Sequence, residues 1–111
     1  MQVQVMRWID GDTFEGRVTT QGAVVRRFRL KDCWAPERGQ AGFAETLSFC
    51  VSSFGNEAFE VADDYVTTDR FGRLVVNVLV LDGSSMSGLI NEFVEARGYP
   101  RGKGWPGQSD P

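Results

Sequence analysis

At 111 residues, 41% of them hydrophobic and 24% charged, the chain is sized for one soluble domain, and no apolar run approaches the roughly 20 residues that span a bilayer. Histidine is absent, which excludes every mechanism built on an imidazole, so a general base must be a carboxylate or, less readily, a lysine or tyrosine. The net charge of −3 excludes a molecule that is basic overall, but seven of its twelve Lys and Arg residues fall between Arg7 and Arg38, while Glu57, Glu60, Asp63 and Asp64 crowd a later segment, so one face can be locally basic.

From Gln2 to Ile9, Val3, Val5 and Ile9 sit between polar neighbours, the alternation of a half-buried strand. Asp10-Gly11-Asp12 predicts a hairpin turn, and Thr13 to Thr20, with Phe14 and Val18, a second strand. After a turn at Gln21-Gly22, Val24 to Cys33 predicts a third strand with Phe28 and Leu30 on one face and Arg27, Arg29 and Lys31 on the other, completing a meander. Pro36 and Gly39 break it. From about Gln40, Phe43, Leu47, Cys50 and Phe54, with Ala44 and Val51 beside them, follow the spacing of one helix face, and Gly55 stops the helix.

Glu57 to Val66 predicts a strand with one wet face, Asp69-Arg70-Phe71-Gly72-Arg73 a turn, and Leu74 to Leu81 an apolar strand broken only by Asn77. A second helix then carries Met86, Leu89, Ile90, Phe93, Val94 and Arg97 on one face and ends at Gly98. Beyond Tyr99 the composition is that of a tail. The order βββ-α-ββ-α predicts an α+β fold, mainly β with two helices: a five-stranded OB-fold barrel over residues 1–99, its open end plugged by a helix, and a short disordered C-terminal tail over 100–111. The opening Met-Gln-Val-Gln-Val lacks the basic head and apolar core of a signal peptide, so a cytoplasmic protein is expected, with Cys33 and Cys50 as buried free thiols.

Several residues carry chemistry, each with a plainer alternative. Arginine pairs bidentately with phosphate and keeps its charge, which suits Arg29 and Arg73; each can equally be a surface arginine paired with a carboxylate. Glu37, stiffened by Pro36, is a carboxylate base or simply a loop acid at a helix entry. Asp10 and Asp12 suit a turn, since aspartate tolerates left-handed backbone and caps its own loop. Trp34, Phe71, Tyr99 and Trp105 offer faces for stacking bases or are core and rim aromatics.

Three motifs in order, Ile9-Asp10-Gly11-Asp12-Thr13, then Phe28-Arg29-Leu30 leading to Ala35-Pro36-Glu37, then Asp69-Arg70-Phe71-Gly72-Arg73, make the chain resemble the staphylococcal-nuclease (thermonuclease) family from Val5 to Tyr99. The resemblance implies a calcium-dependent endonuclease that hydrolyses DNA or RNA, single-stranded or duplex, by metal-assisted attack of water at phosphorus. On it, Glu37 matches the catalytic carboxylate, Arg29 and Arg73 the phosphate-facing arginines, and Asp12 a calcium ligand. Arg70 and Phe71 stand where the family has a substrate-binding lysine and tyrosine. A monomer with no membrane attachment is implied.

The chain departs from the family at Trp34, where the second calcium-ligating aspartate belongs, and at Ala35, which replaces a threonine. Indole offers no lone pair to a hard cation that takes about six to eight oxygens, so calcium is expected to bind weakly. Asp32 reaching in, the Ala35 carbonyl with water and substrate, or loss of the metal site are the three ways the deficit can resolve. The last of these opens the other reading, a barrel that lost its chemistry and binds single-stranded nucleic acid or a protein partner.

Overall fold

The computed structural model describes residues 1–19, 24–63 and 65–102. The turn expected at Gln21-Gly22, Asp64, and the tail from Lys103 on, including Trp105, lie outside these residues.

Strands β1 (Gln2–Asp10), β2 (Thr13–Val18) and β3 (Val25–Leu30) form the expected antiparallel meander. Val3, Val5 and then Trp8 point into the core, because the register shifts between Val5 and Arg7. The extra residue, Met6, reverses the parity as far as the second register shift between Trp8 and Asp10, so Trp8 is buried, its ring 5.2 Å from that of Phe14. β3 ends at Leu30, three residues short of the expected Cys33. Asp32 has φ of 55°, a left-handed backbone that no strand continues through.

Helix α1 (Phe43–Phe54) starts at Gly42, whose φ of 87° and contact with the Tyr99 ring leave no room for a side chain. Its buried positions are Thr46, Cys50 and Phe54, with Leu47 and Phe49 partly covered, while Ala44 and Val51 face outward. The face is rotated from the expected one because the Thr46 hydroxyl donates to the Gly42 carbonyl at 2.7 Å and can be buried without loss.

Strands β4 (Ala58–Val61), β5 (Thr67–Thr68), β6 (Leu74–Val76) and β7 (Val78–Leu79) precede helix α2 (Met86–Ala96). Among the described residues the sheet has seven strands, in the order β5-β6-β3-β2-β1-β4-β7, antiparallel except for β3 with β6. The expected closed five-stranded barrel is therefore corrected to a curled, open, mixed sheet. The apolar run from Leu74 to Leu81 splits at Asn77, whose N–H donates to the Asp63 carboxylate and whose carbonyl accepts from Ala62. Its first half pairs with β3 and its second with β4, so the curl brings the two sides of the sheet to within one residue of each other.

Phe14, Phe28, Leu30, Val76 and Val78 from the sheet meet Cys50 and Phe54 of α1 and Met86, Ile90 and Val94 of α2 in one core. The Phe14 and Phe28 rings stack at 5.3 Å. Both cysteines are buried free thiols, as expected. No helix among the described residues is long and apolar enough to cross a membrane.

Candidate functional site

The first hairpin carries two carboxylates into a tight corner. The Asp10 Oδ1 accepts the Asp12 N–H at 3.2 Å and so closes the turn. Asp12 is only 6% exposed; its Oδ1 accepts from the Thr13 hydroxyl at 2.8 Å and its Oδ2 lies 3.4 Å from Nη1 of Arg29. Burial, reinforced by a hydrogen bond and repulsion from Asp10, pushes the Asp12 carboxyl up to about 7 against the pull of Arg29 and Thr13.

Arg29 is held from three sides. Nη1 donates to the carbonyls of Leu30 at 2.6 Å and Cys33 at 3.3 Å as well as facing Asp12, and the side chain is largely buried. The loop that supplies the Cys33 carbonyl is anchored by α2: Ser87 donates to the Lys31 carbonyl, and Asn91 donates to the Asp32 carbonyl while accepting the Trp34 N–H at 3.0 Å. At the hairpin tip the thiols of Cys33 and Cys50 both point at the Gly11 carbonyl. A Cβ at Gly11 would stand 2.6 Å from that of Ala35 and 2.8 Å from Cγ2 of Thr46, so hairpin, loop and helix meet there with no space left.

Glu37 follows the buried Pro36, and its N–H donates to the Gln40 side chain at 2.6 Å. Gly102 is buried, donates its N–H to the Trp34 carbonyl, and packs against both the Ala35 carbonyl and the Glu37 carboxylate. The segment expected to be a tail from residue 100 is thus docked as far as Gly102.

The 69–73 turn is organised by Asp69, which accepts the N–H groups of Phe71 and Arg73 on Oδ1 and the Arg73 Nε at 2.7 Å on Oδ2. Desolvation, the largest single influence, raises the Asp69 carboxyl, but the hydrogen bonds from Arg73 and Phe71 and the Arg73 charge together outweigh it and hold the carboxyl below its ordinary value. Arg73 Nη1 reaches across to the Thr13 hydroxyl at 3.2 Å, so Thr13 links Arg73 to Asp12. The Phe71 ring is 68% exposed between two guanidinium groups, with Cζ of Arg70 at 4.9 Å and of Arg73 at 5.3 Å from its centroid.

These segments enclose a cavity of about 350 Å³ lined by Asp10, Asp12, Arg27, Glu37, Phe71 and Arg73. Of the residues singled out by sequence, Asp12, Glu37, Arg73 and Phe71 come together on its wall. Arg29 does not line it, being turned to Asp12 and the two carbonyls, and Arg70 stands outside on the Phe71 ring. Arg27 was missed as a site residue; its signal was its parity with Arg29 on β3. A second cavity, of about 360 Å³ and lined mainly by carbon from Phe49, Phe54, Phe59 and Leu89, contains none of these residues.

The donor set does not suit a resident calcium ion. Both Asp12 oxygens have partners, the Trp34 indole offers no oxygen while its carbonyl accepts the Gly102 N–H, and Gly102 covers the Ala35 carbonyl, its Cβ direction lying 2.1 Å from that oxygen. Asp32, on its exposed turn, does not line the cavity. Among the described residues no three acidic or cysteine side chains are grouped closely enough to hold a metal. Neither a protein-family model nor a curated protein matches the sequence.

Proposed function

We propose that the chain is a thermonuclease-like hydrolase of nucleic-acid phosphodiesters on an OB-type scaffold, and the convergence of Glu37 and Arg73 on one cavity carries the proposal. Residues 36 apart in sequence, delivered by a loop and by a turn, supply a carboxylate base and a guanidinium to the same volume. The parallel pairing of β6 with β3 produces this, since it sets the turn before β6 against the start of β2. A partly open arrangement of OB type, not a closed barrel, is supported by the β1-β2-β3 meander and by the way β6 and β7 bring the two sides of the sheet together.

In this reading a diester lies in the cavity with its charge toward Arg73. Glu37 takes a proton from water as the oxygen attacks phosphorus, the P–O bond to the leaving group breaks, the leaving oxygen takes up a proton from solvent, and the guanidinium stabilises the charge on the non-bridging oxygens. The Phe71 ring offers a face to a neighbouring base. Arg29 acts through Asp12 and the loop that ends in Glu37, as a positioning residue. Every part of this step is supplied by side chains of the chain and by water.

The second reading, a module that binds nucleic acid without cutting it, is favoured by the commitment of Arg29 to Asp12 and by Gly102 lying against the Glu37 carboxylate. Purified protein, Glu37→Gln and Arg73→Ala are to be incubated with single-stranded and duplex DNA and RNA, with calcium and with chelator. The hydrolase reading expects cleavage by the parent chain and its loss in both variants. Cleavage by Glu37→Gln at the parent rate would overturn it, and binding without cleavage under every condition would establish the module.

A further inference from the structure

Counting the charges around the cavity separates its arginines by what they have left to give. Asp10, Asp12 and Glu37 bring three carboxyl groups to a volume that, on the reading above, must accept a phosphodiester anion. Arg29 turns Nη1 to Asp12 and the two loop carbonyls and does not line the cavity. Arg73 has committed Nε to Asp69 and Nη1 to Thr13. Arg27 is different. It is exposed, it lines the cavity, and no hydrogen bond or ion pair engages it among the described residues.

Its natural partner is already taken. Glu15 stands directly across from Arg27 in the β2–β3 ladder, the position from which a carboxylate would neutralise it. Glu15 instead pairs with Arg7, reached across the β1–β2 ladder. The Arg27 guanidinium, fixed by β3 on the same face as Arg29, is thus left with its donors and full charge among the described residues, on the wall of the cavity.

We infer that Arg27 is the phosphate anchor of this site and supplies the positive charge that a bound cation would otherwise provide, so that nucleic-acid binding here needs no divalent metal. This rests on the phosphodiester reading and goes beyond it, naming a residue that none of the three motifs contains. A guanidinium on a rigid strand offers two parallel donors to the non-bridging oxygens, which matches the geometry of a diester better than a single point charge does. The Phe71 ring, on the same wall, is placed to stack the base attached to that phosphate.

The test is equilibrium binding of a fluorescent single-stranded oligothymidylate to the Glu37→Gln protein, which cannot consume its ligand on the proposed mechanism. Titrations are run in millimolar calcium and in chelator, over a range of salt. The inference expects equal affinity with and without calcium. Arg27→Ala is expected to weaken binding at least tenfold and to lower the salt slope by about 0.7, one phosphate contact on a single strand. Arg27→Lys should keep the salt slope and recover only part of the affinity, while Arg26→Ala, one residue away on the other face of β3, should match its parent within twofold. Circular dichroism of each variant checks the fold. Binding that requires calcium, or an Arg27→Ala loss no larger than that of Arg26→Ala, would overturn the inference and leave the hydrolase reading standing. Absence of binding by the parent and Glu37→Gln proteins in every condition would overturn both.

Discussion

Replacing Asp12 by asparagine should make the protein more stable at neutral pH and leave it nearly unchanged at pH 4. The unfolded carboxyl ionises near 3.8 and the folded one near 7, a difference of about 3 units. At 1.36 kcal/mol per unit this amounts to about 4 kcal/mol. The sign follows from proton counts: between these two values the folded protein holds a proton that the unfolded chain has released, so unfolding is increasingly favoured as pH rises. The stabilising effect of the protonated carboxyl is complete below about pH 4, falls through pH 5 and 6, and is gone above about 7. Burial is the dominant cause, and at 6% exposure little solvent screening diminishes it.

Asparagine keeps the shape and removes the charge. Its Nδ2 can donate toward Asp10, as the protonated acid does, and its oxygen can accept from Thr13. Arg29 loses its ionic partner, an attraction already contained in the net rise of the Asp12 carboxyl, and keeps the Leu30 and Cys33 carbonyls. Urea unfolding in chelator at pH 4, 6 and 8, followed by the fluorescence of the buried Trp8, measures the difference. Asp12→Asn should exceed the parent by about 4 kcal/mol at pH 8 and by less than about 1 at pH 4. Asp69 and Asp82, both held below their ordinary values, act in the opposite sense as pH falls through the low end, but they are present in both proteins and cancel. A stability difference that stays constant from pH 4 to 8 would refute the reasoning.

Gly11→Ala should destabilise by about 1–3 kcal/mol in urea unfolding, because its Cβ has nowhere to go between Ala35 and Thr46. Asn91→Ala strips a donor from the Asp32 carbonyl and an acceptor from the Trp34 N–H, and should cost about 1–3 kcal/mol and speed hydrogen exchange at the Trp34 amide. Trp34→Asp puts a carboxylate where the resemblance to the thermonuclease family expects a calcium ligand and, on the proposed reading, should produce a calcium-dependent rise in melting temperature that the parent lacks; an equal calcium response in both would contradict the donor count.

Much of the scaffold could be read from the chain because it is local. Alternation, Asp-Gly turns and helix-stopping glycines report on neighbours in sequence, and both helices and the meander follow from them. What escaped depends on contacts between distant residues. Lys31-Asp32-Cys33 continues the alternation of β3, yet the chain turns at Asp32, where Ser87 and Asn91 of α2 take the loop carbonyls. Thr46 reads as an outward polar residue but is buried, since Gly11 packs on it and the Gly42 carbonyl accepts its hydroxyl. The bulge at Met6 leaves no mark in the pattern except that Trp8 falls out of step. In the site, motifs pointed to Asp12, Glu37, Phe71 and Arg73, but Arg27 belongs to no motif and is distinguished from Arg29 only by whom each one faces.

The anchoring of the cavity wall is unequal, and this bears on how it takes a substrate. Asp12 and Glu37 ride on segments locked together by Gly11, by two buried thiols and by α2, so their separation is fixed by the core. Arg73 and Phe71 ride on a turn organised by its own Asp69 and joined to β2, among the described residues, by one side-chain hydrogen bond, from Arg73 to Thr13. Shifting the turn disturbs one hydrogen bond of about 1 kcal/mol, whereas shifting the carboxylates disturbs packed core. The carboxylates therefore set the reference frame of the site, and adjustment to a bound phosphate falls to Arg73 and Phe71. Because Thr13 donates to Asp12 while accepting from Arg73, a phosphate that draws Arg73 away changes the partners of Thr13, and through its hydroxyl the environment of Asp12.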